Sequence, residues 1–534
     1  MRILTSGELG DAEREVSGRA GMSVPVLRHR AGIVVVQFCT SHFKFQSVCV
    51  LSGRDRGEGL AAACAFSDRG FQVAVIVLAR GPDELCEDAA SFCSRLGGTP
   101  IWIGDEAGFE SELVRRAFDA DLIVDCVAET GACSQLSTLA KRAITAINDA
   151  LATVVSVDLP SGADADSKTS IRESGADVVY AQGVITFIAP NPAHVFGELT
   201  SGPIAAHELG VQPVLVPNQV PLQACTGQEV AIAFPSRGPE AHKGEFGHVL
   251  VVAGSRGKAG AAGLAGLAAL RTGAGLVTVA CPRSIQATVA GFAAELMTEG
   301  LPETSDGGIA LEAAKIVGKA LGGKDVLVIG PGLSKGKQTV RFVQDLVLSC
   351  PWPMVIDGDA ISALVDRMAD LRQTRSPFRV LALHPDEAAQ LLGVSTAEIQ
   401  ADRLNMARRI SRETACCVVL GGWRTVTAGV SGETWINMSG NPALAKRGSG
   451  DVLAGMIAAA IARQQQVDRP ATIRAVFDDM SVAAAVHLHG LAGDIACEHL
   501  NENTMLAGDV IARLSDAFRF CEAQRVGGLF YLQR

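Results

Sequence analysis

The sequence lacks the features of nucleic-acid-binding, membrane-embedded and exported proteins. It carries 57 acidic against 47 basic side chains and has no stripe of Lys and Arg, so no nucleic-acid partner is expected. Its longest apolar stretches, such as 259–270, are interrupted by Gly and Arg and are too short to span a bilayer, so no membrane partner is expected. Residues 1–15 contain early acids and no apolar core for export.

Paired cysteine motifs are also missing. The 14 cysteines are scattered singly apart from Cys416-Cys417, and most lie in apolar runs. This distribution is typical of buried free thiols in a reducing compartment, so we expect a cytoplasmic protein. There is no Ser–His–Asp context, nucleophile elbow or zinc-ligand spacing.

What the chain does have is length and a regular alternation of strand and helix patterns. Its 534 residues are too many for one ordinary hydrophobic core, so two domains are expected. The stretch 210–240 is rich in Pro and has no clear periodicity, which predicts a linker between them. Short apolar runs alternate with helical segments on both sides of this stretch, which is typical of βαβ units and parallel sheets. We therefore predict an α/β protein with domains at 1–222 and 223–534.

The chain is organised around the hexapeptide KRGSGD at 446–451, which precedes an apolar run of helical composition. Its glycines allow a tight turn, and the helix behind them would offer unpaired N–H donors to a phosphate. Asp451 would then lie beside bound phosphates, where it could deprotonate a hydroxyl during phosphoryl transfer. From the hexapeptide alone, a helix cap at Asp451 and an ordinary glycine turn explain the residues equally well.

Polar residues also follow several predicted strands, where parallel sheets bind their ligands. In the second half they occupy 357–359 and 384–387, which we expect to line one sheet edge. In the first half, Asp125 and Asp158 both end strands. Each could bind a cation or a substrate hydroxyl, or cap the next turn.

Three polar residues near the C-terminus are expected to have structural rather than catalytic roles. His487 and His489 are two apart on a helix that the apolar composition predicts at about 470–490, so they do not form a metal pair. Asp494 is expected to be a cap or a surface group.

Six blocks follow one another in the second half, at 242–279, 329–334, 355–360, 384–393, 441–455 and 487–496. Together they resemble the ADP/ATP-dependent NAD(P)H-hydrate dehydratases of the ribokinase-like superfamily. In the first half, LIVDCVAETG (122–131) and VDLPSGADAD (157–166) resemble the NAD(P)H-hydrate epimerase domain that many bacteria fuse to the dehydratase. The resemblance implies two three-layer α/β/α domains, an N-terminal Rossmann-like one and a C-terminal ribokinase-like one, in a bifunctional nicotinamide-nucleotide repair enzyme.

The resemblance also implies a reaction. Water added across C5–C6 of the reduced nicotinamide leaves a hydroxyl at C6. In the S epimer, ADP or ATP phosphorylates this hydroxyl, Asp451 acts as the base, and departure of the phosphate restores NADH or NADPH. Mg²⁺ is expected from the phosphoryl chemistry.

By family matching, three residues besides Asp451 lie beside the hydrate, namely Ala261, Gly332 and His384. The residues matched to the nucleotide side are Gly421, Gly422, Trp423, Arg424, Thr425, Gly448, Ser449 and Gly450.

For the first half the resemblance implies epimerisation of the R and S hydrates, with Asp158 as acid/base. The implied substrate-binding residues are Arg54, Asp55, Arg56, Gly57, Glu58, Glu129, Thr130, Gly131 and Asp158. The implied ligands of a potassium ion, K⁺, are Asp55, Asp125 and Ser161.

The dehydratase half departs from the family pattern at the nucleotide. Gly421-Gly422 stands where the family usually has Lys-Gly, so a cationic contact is missing. We expect Lys446 and Arg447 to supply the charge.

The epimerase half departs further. The loop that usually reads NNGGDG is RDRGEG at 54–59, and Asn191 replaces a family lysine. Glu129 places a negative charge where a substrate phosphate is expected, although Arg54 and Arg56 could offset it. An active epimerase and a degenerate domain kept for structure or assembly both remain open.

One alternative function is a ribokinase-like small-molecule kinase with a non-catalytic N-terminal binding or oligomerisation domain. The GxGD motif is common to both enzymes, but the HKGEFG opening at 242–247 and HPDE at 384–387 favour the dehydratase. The predicted substrates are therefore the small molecules NADHX and NADPHX, the hydrates of NADH and NADPH. The superfamily resemblance also favours a homo-oligomer.

Overall fold

The computed structural model describes residues 1–19, 23–127, 136–171, 177–211 and 222–533. Two compact units are present: Met1–Val220 with Gly527–Arg534, and Pro221–Val526. Residues 527–534, predicted to belong to the second domain, are part of the first unit.

The described strands, in chain order, are β1 (Ser47–Gly53), β2 (Gln72–Leu78), β3 (Ile101–Trp102), β4 (Leu122–Cys126), β5 (Thr153–Val157), β6 (Gly183–Phe187), β7 (Ile204–His207), β8 (Leu222–Ala224), β9 (His248–Val252), β10 (Leu276–Pro282), β11 (Met297–Leu301), β12 (Val326–Ile329), β13 (Met354–Asp357), β14 (Arg379–Leu383), β15 (Cys417–Leu420), β16 (Val426–Ala428), β17 (Thr434–Ile436) and β18 (Phe530–Gln533). The described α-helices are α1 (Ser6–Arg19), α2 (Val24–His42), α3 (Gly57–Asp68), α4 (Glu87–Cys93), α5 (Glu112–Phe118), α6 (Thr138–Asp149), α7 (Pro192–Phe196), α8 (Gly227–Ala233), α9 (Ala259–Arg271), α10 (Gln286–Ala290), α11 (Ala313–Ala320), α12 (Lys337–Ser349), α13 (Asp359–Leu364), α14 (Pro385–Leu392), α15 (Thr396–Ala401), α16 (Arg403–Thr414), α17 (Ser449–Gln465), α18 (Ala471–His499) and α19 (Ala507–Gly527).

The first unit contains one sheet in the order β18-β7-β6-β5-β4-β1-β2-β3. Its strands pair in parallel except β18, which runs antiparallel to β7. Every residue of β4 is buried, as expected of a central parallel strand covered on both faces. The alternation of strands and helices predicted from the sequence is confirmed.

The second unit contains one sheet in the order β11-β10-β9-β12-β13-β14-β15-β16-β17-β8. It is parallel from β11 to β15 and continues through the antiparallel strand β16. Its carboxyl edge is therefore built by the loops after β9, β12, β13, β14 and β15, and the polar residues 357–359 and 384–387 predicted from the sequence lie at the ends of β13 and β14.

Helix α17 lies in the middle of the second unit's core. Its residues 454–462 are all buried, as expected of a helix that is apolar on every side. A Cβ added to Gly455 would lie 2.1 Å from the carbonyl oxygen of Ala265 in α9, so glycine permits close packing of the two helices.

The predicted linker at 210–240 is partly wrong, because residues 222–233 contain β8 and α8. Thr226 and Glu229 form a capping box that begins α8, a local signal hidden within a Pro-rich context. Strand β8 then pairs in parallel with β17. Residues 212–221 lie outside the described part of the chain.

One long apolar segment was not recognised from the sequence as long enough to span a membrane. In α18, residues Ile473–His499 are long and apolar enough to cross a membrane by length and composition, and 83% of the apolar window is buried within the protein. The core helix of a globular unit meets the same two criteria, so this segment is weak evidence for a membrane span.

Candidate active site

The hexapeptide lies where the sequence places it, at the start of a long helix. Gly448 is the N-cap of α17 and has a φ of 98°, a left-handed conformation that favours glycine. Asp451 is in the first turn of the helix, inside the cap position, so the interpretation of Asp451 as an N-cap is wrong. The N–H groups of this end and the carboxylate of Asp451 lie next to one another, as an anion site with an adjacent base requires.

His384 connects the two predicted halves of the site. It is the N-cap of α14, and its backbone N–H donates to Glu387 Oε2 at 2.9 Å. A Cβ added to Gly421 would lie 3.8 Å from His384 Nδ1, and one added to Gly450 would lie 3.7 Å from His384 Nε2. The predicted hydrate-side histidine therefore stands between two predicted nucleotide segments.

Gly332 and Ala261 also meet. Gly332 follows β12 with a φ of 59°, and a Cβ added there would lie 2.8 Å from Ala261 Cβ and 3.1 Å from the Lys258 carbonyl oxygen. The loop after β12 can approach the start of α9 closely because residue 332 is a glycine.

Charged and titratable side chains of both signs surround Asp451. Burial raises the pKa of Asp451 above its ordinary value; Arg447 opposes this rise, Asp359 adds to it, and Lys258 and His384 oppose it. A carboxylate with a raised pKa is a stronger base once deprotonated, which suits removal of a hydroxyl proton.

Three residues of this cluster escaped the family matching. Lys258 Nζ donates to Asp359 Oδ2 at 2.8 Å, and this ion pair joins the loops after β9 and β13. Asp357 is buried nearby, and its pKa lies well above the ordinary range because of burial and then the charges of Asp451 and Glu387. The polar residues after successive parallel strands predicted that this edge of the sheet carries a site. They did not predict the ion pair between Lys258 and Asp359.

The nucleotide segment 421–425 follows β15 and is held by a residue that sequence reasoning missed. Arg403, at the start of α16, donates to the carbonyl oxygens of Leu420 and Gly421 at 3.0 Å each and to that of Trp423. No carboxylate of the described residues lies within ion-pair distance of its guanidinium. Burial alone accounts for the lowered pKa of Arg403.

The remaining residues of the nucleotide segment form a turn. Arg424 has a φ of 57°, its guanidinium lies 4.8 Å from the Trp423 ring centroid, and it donates to the Met438 carbonyl oxygen at 3.0 Å. Thr425 Oγ1 donates to the Gly422 carbonyl oxygen at 3.0 Å. Trp423 is 56% exposed, so its ring is available to a ligand.

Helix α18 holds the loop that leads to the hexapeptide. Asp494 accepts from the Gly440 N–H at 2.8 Å and from Asn441 Nδ2 at 2.9 Å, so its expected role as a cap or surface group is wrong. His489 Nε2 lies 3.3 Å from Ser449 Oγ, and burial lowers the pKa of His489 to about 4, which keeps the ring neutral. The block at 487–496 thus supports the hexapeptide from behind.

Of the two basic residues expected to supply the missing charge, Lys446 is engaged elsewhere. Its Nζ donates to the carbonyl oxygens of Asn503 and Met505 at 2.6 and 2.7 Å. The expectation for Lys446 is therefore wrong. Arg447 remains close enough to Asp451 to lower its pKa.

In the first unit, Asp125 is the centre of a buried network. Its carboxylate accepts from Ser161 Oγ at 2.6 Å, Ser161 N at 2.9 Å, Ser156 Oγ at 2.8 Å and Val127 N at 3.3 Å. Burial raises the pKa of Asp125, and these hydrogen bonds lower it. Asp125 and Ser161 are thus brought together, as predicted.

Asp158 has a strained backbone at the end of β5. Its φ is 71°, its Oδ1 accepts from Thr186 Oγ1 at 2.9 Å, and its carbonyl oxygen lies 2.6 Å from His194 Nε2. Residues held in a left-handed conformation without being glycine cluster at functional sites, which is consistent with a catalytic Asp158.

The altered loop 54–59 places an arginine near Asp158. The pKa of Arg56 lies above its ordinary value. Burial lowers this pKa, but the interactions with Cys126, Glu58 and Asp158 raise it by more, so the guanidinium stays positively charged. Gly57 and Glu58 form the first turn of α3. The predicted residues Glu129, Thr130 and Gly131 lie outside the described residues.

The contacts in this unit do not assemble the predicted potassium site. Asp125 and Ser161 bond to each other, whereas Asp55 pairs with Arg54 at 3.2 Å. Across the described residues, no group of three or more His, Cys, Asp and Glu is arranged to hold a metal ion. Asn191, in place of the family lysine, donates to the Leu4 carbonyl oxygen at 2.9 Å and caps α7.

Comparison with known proteins gives a match for each unit. The family described as NAD(P)H-hydrate dehydratase matches residues 249–515, and the family described as YjeF-related protein N-terminus matches residues 24–193. Among solved structures, the ADP/ATP-dependent NAD(P)H-hydrate dehydratase from Bacillus subtilis, co-crystallised with ATP/Mg²⁺, is 27% identical over 56% of this chain and 98% of that chain, with a TM-score of 0.46.

Full-length relatives match across both units. The bifunctional NAD(P)H-hydrate repair enzyme of Moorella thermoacetica is 34% identical over 98% of this chain and 98% of its own length. That of Thermofilum pendens is 30% identical over 97% and 96%, respectively. The chain therefore belongs to the family of bifunctional NAD(P)H-hydrate repair enzymes.

Proposed function

We propose that this chain repairs hydrated NADH and NADPH. Its second unit dehydrates the S epimer of the hydrate at the expense of ADP or ATP, and its first unit interconverts the R and S epimers. The observation that carries the dehydratase proposal is the meeting of Asp451, the N-terminus of α17 and His384 at one sheet edge.

The chemistry follows from the residues at that edge. Hydroxide is a poor leaving group, so the C6 hydroxyl is first converted into a phosphate ester. Asp451 takes the hydroxyl proton, and the N–H groups at Ser449 and Gly450 stabilise the transferring phosphoryl group. His384 lies between the sites of the two substrates.

The site fits a nucleotide with its metal ion. The segment 421–425 offers the exposed ring of Trp423 to a base, and the start of α17 offers N–H groups to phosphates. Mg²⁺ commonly binds through one or two carboxylates together with substrate phosphates, and Glu387, a carboxylate of the same sheet edge that takes no part in the proton transfers, is available for this. When bound, it would neutralise charge on the phosphates.

For the first unit, we propose Asp158 as the acid/base of epimerisation. The proposal is supported by its left-handed backbone and by the hydrogen bonds that Asp158 accepts from Thr186 and His194. Arg56 supplies the positive charge that the altered loop would otherwise lack.

One assay tests both activities. A mixture of R and S hydrates is incubated with ATP, and recovery of the reduced-nicotinamide absorbance is followed. We expect complete recovery, because the first unit converts R into S as S is consumed. Recovery that stops at the S fraction and continues only at the spontaneous rate contradicts the epimerase, and no nucleotide-dependent recovery contradicts the dehydratase.

The variant Asp451→Asn should recover reduced nicotinamide about 100-fold more slowly than the wild-type protein, or slower still, because it lacks the base. Asp345→Asn, which changes an exposed carboxylate of α12, is the control and should behave as the wild-type protein. A small-molecule kinase would instead release a phosphorylated alcohol and no reduced nicotinamide. Full activity of Asp451→Asn would remove this residue from the mechanism.

A further inference from the structure

We propose that the Lys258–Asp359 pair carries out the second half of the dehydration, the expulsion of phosphate from the phosphorylated hydrate. Asp451 serves the first half. This inference rests on the dehydratase function proposed above and assigns residues to a step for which the hexapeptide provides none.

The position of the pair is the first argument. Lys258 immediately precedes α9, Asp359 begins α13, and their side chains meet at 2.8 Å. The two side chains are 34% and 15% exposed, so the pair is partly accessible from the sheet edge. The Lys258 backbone lies against Gly332, on the side of the site matched to the hydrate.

The charge around the pair is the second argument. Asp357, Asp359, Glu387 and Asp451 influence one another at this edge, and a phosphate ester formed among them would be repelled. Lys258 is the cation bound directly to this group. Its ammonium has three N–H donors, and the hydrogen bond to Asp359 uses one of them. The other N–H groups can meet phosphate oxygens.

The proton balance is the third argument. Each turnover removes two protons from the hydrate, one from the C6 hydroxyl and one from C5. After phosphoryl transfer Asp451 holds the first proton, so a second carboxylate is needed for the next. Asp359 is close enough to raise the pKa of Asp451 through its charge.

The C6–O bond breaks, and its electron pair leaves on the phosphate oxygen, whose growing charge Lys258 neutralises. The C5–H electron pair forms the C5=C6 double bond, and the C5 proton passes to the Asp359 carboxylate. The products are the reduced nicotinamide and inorganic phosphate, with the proton later released from Asp359 to solvent.

The test separates the two halves of the reaction. The full-length protein is mixed with S hydrate and ATP, and ADP, phosphorylated hydrate (by ³¹P NMR and mass) and reduced-nicotinamide absorbance are measured over one turnover. Lys258→Met should form ADP at close to the wild-type rate but recover reduced nicotinamide about 100-fold more slowly, so that phosphorylated hydrate accumulates. Asp359→Asn should show the same pattern.

Three comparisons complete the design. Asp451→Asn should form no ADP, Lys258→Arg should regain most of the recovery because it keeps a cation, and Lys319→Met, which changes an exposed lysine of α11, should match the wild type. A parallel fall of ADP formation and recovery in Lys258→Met, an unchanged rate in both, or failure of Lys258→Arg to regain recovery would overturn the inference. A wild-type protein that neither consumes ATP nor recovers reduced nicotinamide would instead contradict the proposed function itself.

Discussion

Arg403 gives the nucleotide segment a positive charge through an indirect route. Its guanidinium donates to three backbone carbonyls of residues 420–423 and meets no carboxylate within the described ranges. Arginine stays charged under these conditions because its intrinsic pKa is so high. A cation without a counter-ion beside a predicted nucleotide segment favours an anionic ligand there, and it also fixes the shape of the segment.

We expect Arg403→Met to raise the KM for ATP about tenfold, in line with the loss of hydrogen bonds to a charged group. The KM for the hydrate should stay close to that of the wild type. Arg409→Met is the matched control, because Arg409 lies on the same helix and pairs at the surface with Glu413. Steady-state kinetics with each substrate varied in turn measure the effect.

A second substitution separates charge from shape. A Cβ added to Gly421 would meet its nearest neighbour, the Leu383 carbonyl oxygen, at 3.3 Å, so a small adjustment accommodates a side chain. Gly421→Lys in the Arg403→Met background should restore part of the lost affinity for ATP. An equal rise of KM for both substrates in Arg403→Met would contradict a specific role at the nucleotide.

The contacts of Arg403 could not be predicted from the sequence, whereas the hexapeptide could. The absence of lysine at 421 is evident from the chain, but the arginine that reaches this segment lies 18 positions earlier, across a helix and a strand. The hexapeptide was predictable because its residues are contiguous. Lys446 was misjudged because its partners, the carbonyls of Asn503 and Met505, belong to a distant loop.

At the scale of elements, α18 combines two tasks. Its apolar residues fill the core next to α17, while His489 and Asp494 hold the loop that precedes the hexapeptide. Apolar composition predicted the helix, yet it could not assign these polar contacts, since each depends on the placement of another element. The helix ends nine residues beyond the predicted limit of 490, at His499.

The N-terminal part of α18 buries two adjacent carboxylates. Asp479 accepts from the N–H groups of Val430 and Ser431, whereas Oδ1 of Asp478 has no hydrogen-bond partner among the described residues. Burial raises the pKa of Asp478 to about 7 and that of Asp479 to about 6. Both groups are therefore easier to accommodate protonated than ionised.

This arrangement predicts a pH dependence of stability. Because the folded-state pKa values lie above the unfolded value of about 3.9, the stabilisation is complete below about pH 4 and is lost as pH rises through 6 to 7. Asp478→Asn should therefore raise Tm above that of the wild type at about pH 8, and the difference should vanish at about pH 4.

Thermal unfolding across this pH range measures the effect. Asp516→Asn is the control, because Asp516 lies in α19 and pairs near the surface with Arg513. A Tm of Asp478→Asn that is below the wild-type value at about pH 8 would contradict the cost assigned to the buried charge.

At the scale of the whole molecule, chain order and spatial order differ at one place. Strand β18 follows the second unit in the chain and yet completes the edge of the first sheet beside β7. The two α/β units were predictable because strand and helix periodicities repeat along the chain. The return of β18 was not, since four residues of strand pattern carry no information about which edge they join.

A chain that ends at residue 526 should show a lower Tm for the first unit, because β7 would expose unpaired backbone groups at the sheet edge. ATP-dependent dehydration of the S hydrate should persist, since the residues proposed for it lie in the second unit. Thermal unfolding and the two activities, measured separately, test this. Tyr531→Phe keeps the strand and removes the hydroxyl that lies 2.6 Å from His42 Nε2, so it is the control. Unchanged unfolding of the shortened chain would contradict the role of β18.

The pairing of β18 with β7 has a consequence for synthesis. A ribosome produces β7 long before β18, and the whole second unit is made in between. The sheet of the first unit therefore stays incomplete at β7 until the second unit has been synthesised. This differs from the usual order, in which the N-terminal domain completes its folding first. During that interval the nascent protein offers an unpaired strand to other chains, and a chaperone that covers β7 would protect it until the final strand emerges.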